Sequence, residues 1–405
     1  MALAMLSAMS GTLGASDRAA ENEGPPYEQP LTGGPGHRPR LLLLTPDFPP
    51  AHGGIQVFAH RLAVGLGGFD SKVIALDCQG ARAFDAGSEL AVRRVSSRGS
   101  AQLRMARLNA AAVASAIRFA PQMTLSMHLV TSPAAAAIRS ALRARTVQYF
   151  HAKEIARKPR LAAFAVRRAD VVIAVSEYTA GLIAATGATP AMLRLISPGV
   201  DLPREQPAAA PAGPPTFVTV ARLQDRYKGH DVLVLALALV RERVPDVQWV
   251  VIGDGPLRGE LETLARSHGV EDSVRFLGSV SDEERDSWLA RADLLAMPSR
   301  LPGDGQAGEG FGIAYLEAGA HGKPVVAGNV GGALDAVLDE RTGLLVDPTD
   351  PRAVAEAIVR LLRDTQLALR LGTAGAARAR SLAWPVIVRR VEAVLLEALG
   401  PRTAA

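Results

Sequence analysis

Cysteine is almost absent from this chain of 405 residues, which contains only Cys78. A single cysteine excludes an intramolecular disulfide and a metal site built from several thiolates, and it is typical of a reducing compartment. Long apolar runs are missing as well, because the longest, residues 232–240, is far too short to span a bilayer. We therefore expect a chain that does not cross a membrane.

The start of the chain lacks the positive charge that precedes the apolar part of a secretion signal. Its first residues, MALAMLSAMSGTLGAS, imitate such a signal, but no Lys or Arg precedes them and the first charges are Asp17 and Arg18. Residues 17–39 are rich in Gly, Pro and polar residues. Our interpretation is that residues 1–39 form a disordered leader and that the protein is cytoplasmic.

The rest of the chain is long enough for two domains, with 48% hydrophobic and 21% charged residues overall. Short β-branched or leucine-rich runs alternate with helical stretches, which predicts parallel sheets covered by helices on both faces. The predicted strands are 40–45, 72–77, 124–128, 146–150 and 170–176, then 216–220, 248–252, 274–277, 293–297, 324–327 and 343–346.

A segment rich in Pro and Ala interrupts this alternation. It divides the chain into a first domain at 40–202, a linker at 203–215 and a second domain at 216–383, followed by 384–405, whose helix could pack back on the first domain. The predicted fold class is α/β, with two doubly wound Rossmann-like domains facing each other across a cleft. In such sheets ligands bind at the carboxyl ends of the strands.

Residues 297–326, MPSRLPGDGQAGEGFGIAYLEAGAHGKPVV, place Glu309 and Glu317 eight positions apart around a glycine-rich turn. A glycine-rich turn that leads into a helix predicts an anion site, because the first helical turn presents unpaired N–H groups and the positive end of the dipole. Glu317 is expected two turns into that helix, about 12 Å along the axis from Glu309. Carboxylates that hydrolyse a glycosidic bond lie about 5 to 9.5 Å apart. The spacing therefore favours two contacts to one long ligand, such as a nucleotide-sugar.

Two cations, Arg222 and Lys228, follow the first strand of the second domain in the stretch 221–229, ARLQDRYKG. There they would neutralise a diphosphate, although either one alone could be a solvated surface residue. The chain contains no Asp-x-Asp, the acidic pair expected where a divalent metal holds a nucleotide-sugar diphosphate. We therefore expect no metal and no other cofactor, with the positive charge supplied by side chains and helix ends.

The first domain contributes the loop 47–55, DFPPAHGGI, directly after its first strand. Asp47 is a candidate substrate-binding residue there, and Gly53 and Gly54 let backbone approach a ligand closely. A Gly-Gly pair before a helix also closes ordinary turns, so that alternative stays open. The loop is not a dinucleotide fingerprint, because no G-x-G-x-x-G occurs in it.

His151 ends a middle strand on the cleft side. A lone histidine is more often structural, but at this position it is a candidate for a hydrogen bond to substrate. Neither His151 nor Glu154, one turn later, is assigned as a general base. In the second domain, Val280 closes the stretch 278–280, which could offer backbone groups to a nucleobase.

Nine basic residues and one acid, Glu154, lie between positions 139 and 168. Such a face attracts acidic lipid headgroups, at about 1 kcal/mol per basic residue near the membrane, and the alternative is a set of ordinary solvated helix faces. Nucleic acid is not expected, because only Tyr149 and Phe150 interleave as stacking aromatics. Peripheral attachment at the inner face of the membrane is thus open. The basic residues are Arg139, Arg143, Arg145, Lys153, Arg157, Lys158, Arg160, Arg167 and Arg168.

The order of these motifs resembles the retaining glycosyltransferases of family 4, which have the GT-B fold. The resemblance covers roughly residues 40–385, and the Glu-x7-Glu stretch is its most specific part. DFPPAHGGIQ and MPSR with the glycine-rich insertion look most similar to mannosyltransferases that act on phosphatidylinositol mannosides. Residues 151–154 read HAKE where that group would have His-Gly-His-Glu, which puts their acceptor in doubt. The remaining motifs are Ser176-Glu177, PGVD at 198–201 and GDGP at 253–256.

The resemblance implies roles for the candidate residues. Arg222 and Lys228 would bind the diphosphate, and Glu309 would contact the sugar hydroxyls near the reacting carbon. Glu317 would bind the ribose, and His151 the transferred sugar. The candidate catalytic residues are thus His151, Arg222, Lys228 and Glu309.

The backbone contacts implied by the resemblance come from both domains. Gly53 and Gly54 would approach the diphosphate and the sugar. Backbone N–H groups would be offered by Phe311, Gly312 and Ile313.

The resemblance also implies a mechanism. The family transfers with retention and without a metal, by front-face attack in which the leaving phosphate takes the acceptor's proton in a closed, dry cleft.

The predicted activity is transfer of a hexose, with mannose favoured, from GDP-mannose or a UDP-sugar to a hydroxyl group. The acceptor could be lipid-linked, a glycan or a small molecule. Two alternatives share the two-domain architecture. A nucleotide-sugar 2-epimerase would release isomerised sugar without any acceptor, and a non-catalytic sugar-binding protein would only close on its ligand.

Overall fold

The computed structural model describes residues 38–51, 53–203, 213–303 and 307–400. Of the predicted leader, residues 1–37 lie outside the described residues, and so do residues 204–212 of the predicted linker. Within the described ranges, no helix is both long and apolar enough to cross a membrane.

The first domain is built on a seven-stranded parallel sheet in the order β3-β2-β1-β4-β5-β6-β7. Its central strand carries four consecutive leucines, Leu41 to Leu44, each fully buried because helices cover both faces. The strands are β1 (Arg40–Leu44), β2 (Asp70–Leu76), β3 (Ala91–Val95), β4 (Met123–Ser126), β5 (Arg145–Phe150), β6 (Val171–Ala174) and β7 (Leu193–Leu195).

The helices of the first domain alternate with its strands, as a doubly wound sheet requires. They are α1 (Gly54–Gly65), α2 (Ala81–Ala86), α3 (Ala101–Phe119), α4 (Ser132–Leu142), α5 (Ala152–Arg157), α6 (Pro159–Arg168) and α7 (Glu177–Ala184).

The second domain repeats the plan with a six-stranded parallel sheet in the order β10-β9-β8-β11-β12-β13. The strands are β8 (Thr216–Val220), β9 (Gln248–Ile252), β10 (Val274–Gly278), β11 (Leu294–Met297), β12 (Val325–Gly328) and β13 (Gly343–Val346). The helices are α8 (His230–Arg243), α9 (Arg258–Ser267), α10 (Asp282–Arg291), α11 (Ile313–Ala320), α12 (Ala333–Ala336), α13 (Pro351–Arg363), α14 (Thr365–Ser381) and α15 (Trp384–Leu399).

The prediction of two doubly wound parallel sheets is confirmed, but two strands of the first sheet were not predicted. Both β3 and β7 are edge strands, which pair on one side only and tolerate polar or exposed residues. The Arg94 guanidinium of β3 binds the Asp85 carboxylate at 2.8 Å. β7 has only three residues, and two of them are exposed. Neither segment carries the apolar run that marks the central strands.

Each sheet has a switch point, where the first strand lies between two neighbours that are reached in opposite directions. β1 lies between β2 and β4, and β8 lies between β9 and β11. The loops that follow such strands part from each other and leave a crevice at the carboxyl ends. The loops after β1, β4, β8 and β11 therefore border the two crevices in which a ligand can bind.

The last helix, α15, packs against α1 of the first domain. The Trp384 and Phe58 rings lie 5.4 Å apart between centroids, and the Glu392 carboxylate accepts a hydrogen bond of 2.7 Å from the Gly68 amide. A Cβ added at Gly65 would meet Val388 at 2.8 Å, so glycine is required for this close approach. The chain thus returns to the first domain after completing the second.

Candidate functional site

Lys228 and Glu309 meet at the switch point of the second sheet. Lys228 ends a short 3-10 turn, Arg226–Lys228, that follows β8, and Glu309 lies in the segment between β11 and α11. The Lys228 Nζ donates a hydrogen bond to Glu309 Oε2, and both side chains are about one-seventh exposed, at 15% and 13%. Burial alone would lower the pKa of Lys228, but the Glu309 carboxylate beside it outweighs burial and raises that pKa.

The backbone around Glu309 is fixed by close contacts to the turn before α12. The Gly332 amide donates a 2.9 Å hydrogen bond to the Glu309 carbonyl. A Cβ added at Gly332 would lie 2.1 Å from the Gly310 carbonyl oxygen, so only glycine fits there. Gly312 precedes the first residue of α11 with a φ of +96°, a left-handed conformation that glycine adopts without strain.

The N-terminus of α11 opens directly beside Glu309. The amides of Phe311, Gly312 and Ile313 donate to no acceptor in the described part of the chain. Together with the positive end of the helix dipole, they form an arrangement that suits an anion.

Glu317 lies closer to the start of α11 than its spacing from Glu309 suggests. The prediction that it sits two turns into the helix is wrong, because α11 begins at Ile313 and Glu317 follows four residues later, about one turn or 6 Å. Residues 309–312 are not helical. Gly312 has a left-handed backbone conformation, so the helix begins only at the next residue, Ile313. Burial raises the pKa of Glu317 despite the Arg285 guanidinium at 3.7 Å.

Arg222 is exposed in the loop between β8 and the 3-10 turn that carries Lys228. Its guanidinium makes no hydrogen bond or ion pair within the described ranges. Its positive charge nevertheless acts on Lys228, whose pKa it lowers slightly against the larger effect of Glu309. Lys228 is therefore neutralised by a carboxylate, whereas the Arg222 guanidinium has no carboxylate partner among the described residues.

His151 stands between β5 and α5 on the opposite side, in the first domain. Its Nε2 lies 3.1 Å from the Met127 carbonyl oxygen, which can only accept, so Nε2 carries the proton. Burial lowers the pKa of His151, and the imidazole is neutral near pH 7. Residue 152 also approaches the second domain, because a Cβ added at Gly310 would lie 3.6 Å from that of Ala152.

His128 is a half-buried site residue that the sequence analysis missed. It follows β4, and its Nδ1 lies 2.9 Å from Glu154 Oε2. Glu154 also accepts backbone hydrogen bonds from Leu129 at 2.7 Å and from His151 at 3.0 Å. Residues 124–128 were predicted as one strand, whereas β4 ends at Ser126, so His128 was assigned to the sheet rather than to its ligand-binding edge.

Charge stabilises this His128–Glu154 pair against its burial. Burial would raise the pKa of Glu154, but His128 lowers it. Burial would lower the pKa of His128, but Glu154 raises it. The carboxylate also acts on His151, whose amide it binds, so the three residues form one connected unit at the carboxyl ends of β4 and β5.

The loop after β1 brings the remaining first-domain candidates to the same place. Asp47 Oδ1 accepts a 3.3 Å hydrogen bond from the side-chain Nε2 of Gln56. Gly53 has a φ of +150°, and a Cβ there would lie 2.4 Å from Gln56 Oε1. A Cβ added at Gly54 would lie 3.4 Å from Ile313 Cδ1, so this glycine faces the start of α11 across the cleft.

Val280 lies apart from these contacts, in the turn between β10 and α10. It is half-buried against the hydrophobic core and directly precedes Ser281, whose hydroxyl caps α10 by accepting from the Glu284 amide at 3.2 Å. The structure therefore brings together the predicted residues of the loops after β1, β5, β8 and β11, and it places Val280 in the loop after β10.

The sequence analysis also missed a set of contacts made by Lys153 across the cleft. Lys153 of the first domain binds the Asp225 carboxylate of the second domain at 2.7 Å. Its ammonium also lies 4.8 Å from the centre of the Tyr227 ring, which Lys228 approaches to 5.3 Å. Burial raises the pKa of Tyr227 to about 12, so the phenol is neutral. Lys153 was counted only as one member of the basic run 139–168, because its partner is 72 positions away.

The sequence matches two family descriptions that together cover most of the chain. Glycosyltransferase Family 4 matches residues 52–204, and Glycosyl transferases group 1 matches residues 204–378. These two matches meet in the segment between the two sheets.

Curated relatives match over 83% of the chain. A GDP-mannose-dependent alpha-(1-6)-phosphatidylinositol monomannoside mannosyltransferase of Mycobacterium tuberculosis is 37% identical over 363 residues, which cover 83% of this chain and 92% of that protein. A protein of the same name from Mycolicibacterium smegmatis is 35% identical over 359 residues, with the same coverage. A D-inositol 3-phosphate glycosyltransferase of Salinispora arenicola is 36% identical over 59% of this chain and 56% of that protein.

Solved structures share the architecture at lower identity. Anabaena Alr3699/HepE in complex with UDP and glucose gives a TM-score of 0.75 at 22% identity, covering 89% of this chain and 100% of that one. Sucrose-phosphate synthase from Thermosynechococcus elongatus gives 0.75 at 23% identity, covering 89% and 99%. These likenesses show the fold alone. With the extended match to curated relatives, they establish that the chain belongs to glycosyltransferase family 4 and is a glycosyltransferase of GT-B fold.

Proposed function

We propose that the protein transfers mannose from GDP-mannose to an acceptor hydroxyl, with retention and without a metal. One observation carries the proposal: Lys228 and Glu309 meet beside the amino end of α11, close enough to Arg222 for its charge to act on Lys228. Gly310 of the same segment approaches Ala152, the residue after His151 in the other domain. A nucleotide-sugar has an anionic middle and a hydroxyl-bearing end, which match the cations and the carboxylate in turn. GDP-mannose is favoured over a UDP-sugar because the two most extensive relatives named above are GDP-mannose-dependent mannosyltransferases.

The donor replaces the ion pair between Lys228 and Glu309. Its diphosphate binds the Lys228 ammonium, the Arg222 guanidinium and the backbone amides at the start of α11. The Glu309 carboxylate, released from Lys228, accepts hydrogen bonds from sugar hydroxyls near the reacting carbon. Glu317 accepts from the ribose, and the neutral His151 contacts the transferred sugar.

The transfer step needs no protein nucleophile. The bond between the anomeric carbon and the leaving phosphate oxygen breaks, and a bond to the acceptor oxygen forms on the same face. The acceptor's proton passes to the leaving phosphate oxygen, so the products are the nucleoside diphosphate and the glycoside with its configuration retained. Charge on the leaving phosphate is stabilised by Arg222 and Lys228, which act best in a cleft closed to water.

The acceptor hydroxyl belongs to a lipid-linked, glycan or small-molecule acceptor. A phosphatidylinositol mannoside is the first to test, because the M. tuberculosis and M. smegmatis relatives are named for it. The exposed arginines of α6 would hold the protein at an anionic membrane surface that carries such a lipid. Neither the 2-epimerase nor the sugar-binding alternative is favoured, since the named relatives are glycosyltransferases.

The test incubates the purified full chain with GDP-mannose, UDP-glucose and UDP-N-acetylglucosamine, each with and without a phosphatidylinositol mannoside. We expect GDP release from GDP-mannose that depends on acceptor and persists in excess EDTA. Release only from a UDP-sugar would contradict the proposed donor. Loss of activity in EDTA, restored by Mg²⁺, would contradict the metal-independent mechanism, and isomerised free sugar without acceptor would indicate an epimerase.

A further inference from the structure

The contact between Lys153 and Asp225 joins the two domains at the cleft. Lys153 is the second residue of α5, in the first domain, and Asp225 immediately precedes the 3-10 turn Arg226–Lys228 of the second. The Nζ–Oδ2 distance is 2.7 Å, and the side chains are 29% and 23% exposed. Each charge is therefore partly withdrawn from water, which makes the pair stronger than an ordinary surface ion pair.

Both ends of this contact lead directly to residues of the site. On the first-domain side, α5 begins immediately after His151, and its Glu154 binds His128. On the second-domain side, Asp225 is three positions before Lys228, and its carbonyl accepts a 3.2 Å hydrogen bond from the Lys228 amide. A shift at either end would move a site residue.

The ammonium groups of both lysines, Lys153 and Lys228, approach the Tyr227 ring. The ring is 9% exposed, with the Lys153 ammonium 4.8 Å and the Lys228 ammonium 5.3 Å from its centre. A neutral aromatic ring attracts cations and keeps water away, so it holds both ammonium groups without competing for either as an ion partner. The Asp225 carboxylate does not cap its own turn, which leaves it available to Lys153.

We propose that Lys153 is a positioning residue of the transfer reaction, which pairs with Asp225 when the domains close and thereby sets Lys228 opposite His151. This inference rests on the proposed function for its effect on turnover. The Asp225 carboxylate already pairs with the Lys153 ammonium at 2.7 Å, which leaves that ammonium less available to a phosphate. Lys153 thus acts through the loop rather than as a third diphosphate ligand.

The first test is a double-mutant cycle on the full chain with Lys153→Ala, Asp225→Ala and the double variant. We expect each single change to lower kcat about tenfold, the size of effect of one partly buried charged hydrogen bond. Because both changes remove the same contact, the double variant should also lose about tenfold rather than a hundredfold. The matched control is Arg226→Ala, in the turn that follows Asp225. It removes an exposed ion pair to Glu260 that lies within the second domain, and its kcat should stay within twofold of the wild-type value.

The second test exchanges the charges, with Lys153→Asp and Asp225→Lys made singly and together. A contact between the two side chains predicts that the double variant recovers at least half of the activity lost by the more damaged single variant. A double variant no more active than either single one would overturn the proposal, as would an additive hundredfold loss in the alanine cycle. Unchanged kcat in Lys153→Ala would do the same.

The contact is also measured without turnover, by the same alanine cycle applied to unfolding midpoints in urea. Coupling between the two changes is expected, and additive midpoint shifts would overturn the contact itself. If the wild-type protein released no nucleotide from any donor, the proposed function would fail, while the unfolding cycle would still decide whether Lys153 and Asp225 interact.

Discussion

The Lys228 ammonium donates directly to the Glu309 carboxylate, although the two residues lie 81 positions apart. β8 and β11 are neighbours in the second sheet, so the loops that follow them place this cation and this anion at one point. In this ion pair each side chain neutralises the other. A donor that carries both a diphosphate and sugar hydroxyls offers each of them a separate partner, which is why the pair is suited to being opened by that ligand.

Replacing Glu309 by alanine should reduce turnover below about a thousandth of the wild-type value, because the sugar hydroxyls lose their carboxylate acceptor. The fold should persist, since the side chain lies in a loop and not in either core, and circular dichroism checks this. The control is Glu397→Ala, an exposed acid of α15 that pairs with Arg194 and should leave turnover unchanged. Normal transfer by Glu309→Ala would remove Glu309 from the reaction.

Gly332→Ala should lower activity without touching a substrate. The new Cβ would lie 2.1 Å from the Gly310 carbonyl oxygen, so the segment that carries Glu309 must shift. We expect a fall in kcat of about ten- to a hundredfold, in line with the cost of a misplacement near 1 Å. Gly259→Ala is the matched control, because nothing lies within 4 Å of its Cβ and α9 gains a better helix former. Equal kcat values in the two variants would contradict the argument.

His230 should make the protein less stable in acid. The side chain is 2% exposed and neither ring nitrogen has a hydrogen-bond partner in the described chain. Burial, and then the Lys228 charge, lower its pKa from 6.5 to about 4. Between pH 6.5 and pH 4 the unfolded chain binds a proton at His230 and the folded chain does not. The free energy of unfolding therefore falls by about 3 kcal/mol as the pH drops from 6.5 towards 4.

The variant His230→Leu removes this proton linkage while keeping a buried apolar side chain. Its free energy of unfolding in urea should fall less between pH 7 and pH 4 than that of the wild type, with a difference of about 3 kcal/mol. His268→Leu, at an exposed histidine that ends α9, is the control and should behave as wild type. The same pH dependence in His230→Leu and the wild type would show that His230 is not the group responsible.

How far the sequence predicts this molecule depends on whether a residue's role is local. Central strands such as β1 are visible because both faces are buried and the whole run is apolar. Residues directly after such strands, including His151 and Arg222, follow from the rule that ligands bind at carboxyl ends. The positions of these loops in the fold can therefore be predicted from the sequence alone.

Contacts across the cleft could not be predicted from the sequence. The Lys153–Asp225 pair depends on how the two domains meet, which no periodicity encodes. His128 was hidden for a different reason: the strand before it ends two residues earlier than its apolar pattern suggests. The position of Glu317 was misjudged because a single left-handed glycine, Gly312, delays the start of α11.

Within the basic run 139–168, the structure distinguishes arginines that are paired with an acid from arginines that could bind a membrane surface. Arg139 and Arg145 both bind the Asp170 carboxylate, at 2.9 and 3.4 Å, so part of their charge is already neutralised. On α6, by contrast, Arg160 and Arg167 are seven positions apart and share one face. Both are exposed, and the half-buried Phe164 lies between them in the sequence, with Arg168 5.8 Å from its ring centre.

This α6 face should hold the protein on acidic lipid. We expect the wild type to sediment with vesicles of phosphatidylcholine and phosphatidylglycerol but not with phosphatidylcholine alone, and less at 0.5 M than at 0.1 M salt, because the attraction is screened. Replacing Arg160, Arg167 and Arg168 by glutamine should weaken binding about a hundredfold. A triple change of exposed arginines in the second domain, at Arg266, Arg352 and Arg380, lowers the net charge equally. If both triple variants lost binding to the same extent, net charge alone would explain the attraction, and equal binding of the wild type to both vesicle types would remove it altogether.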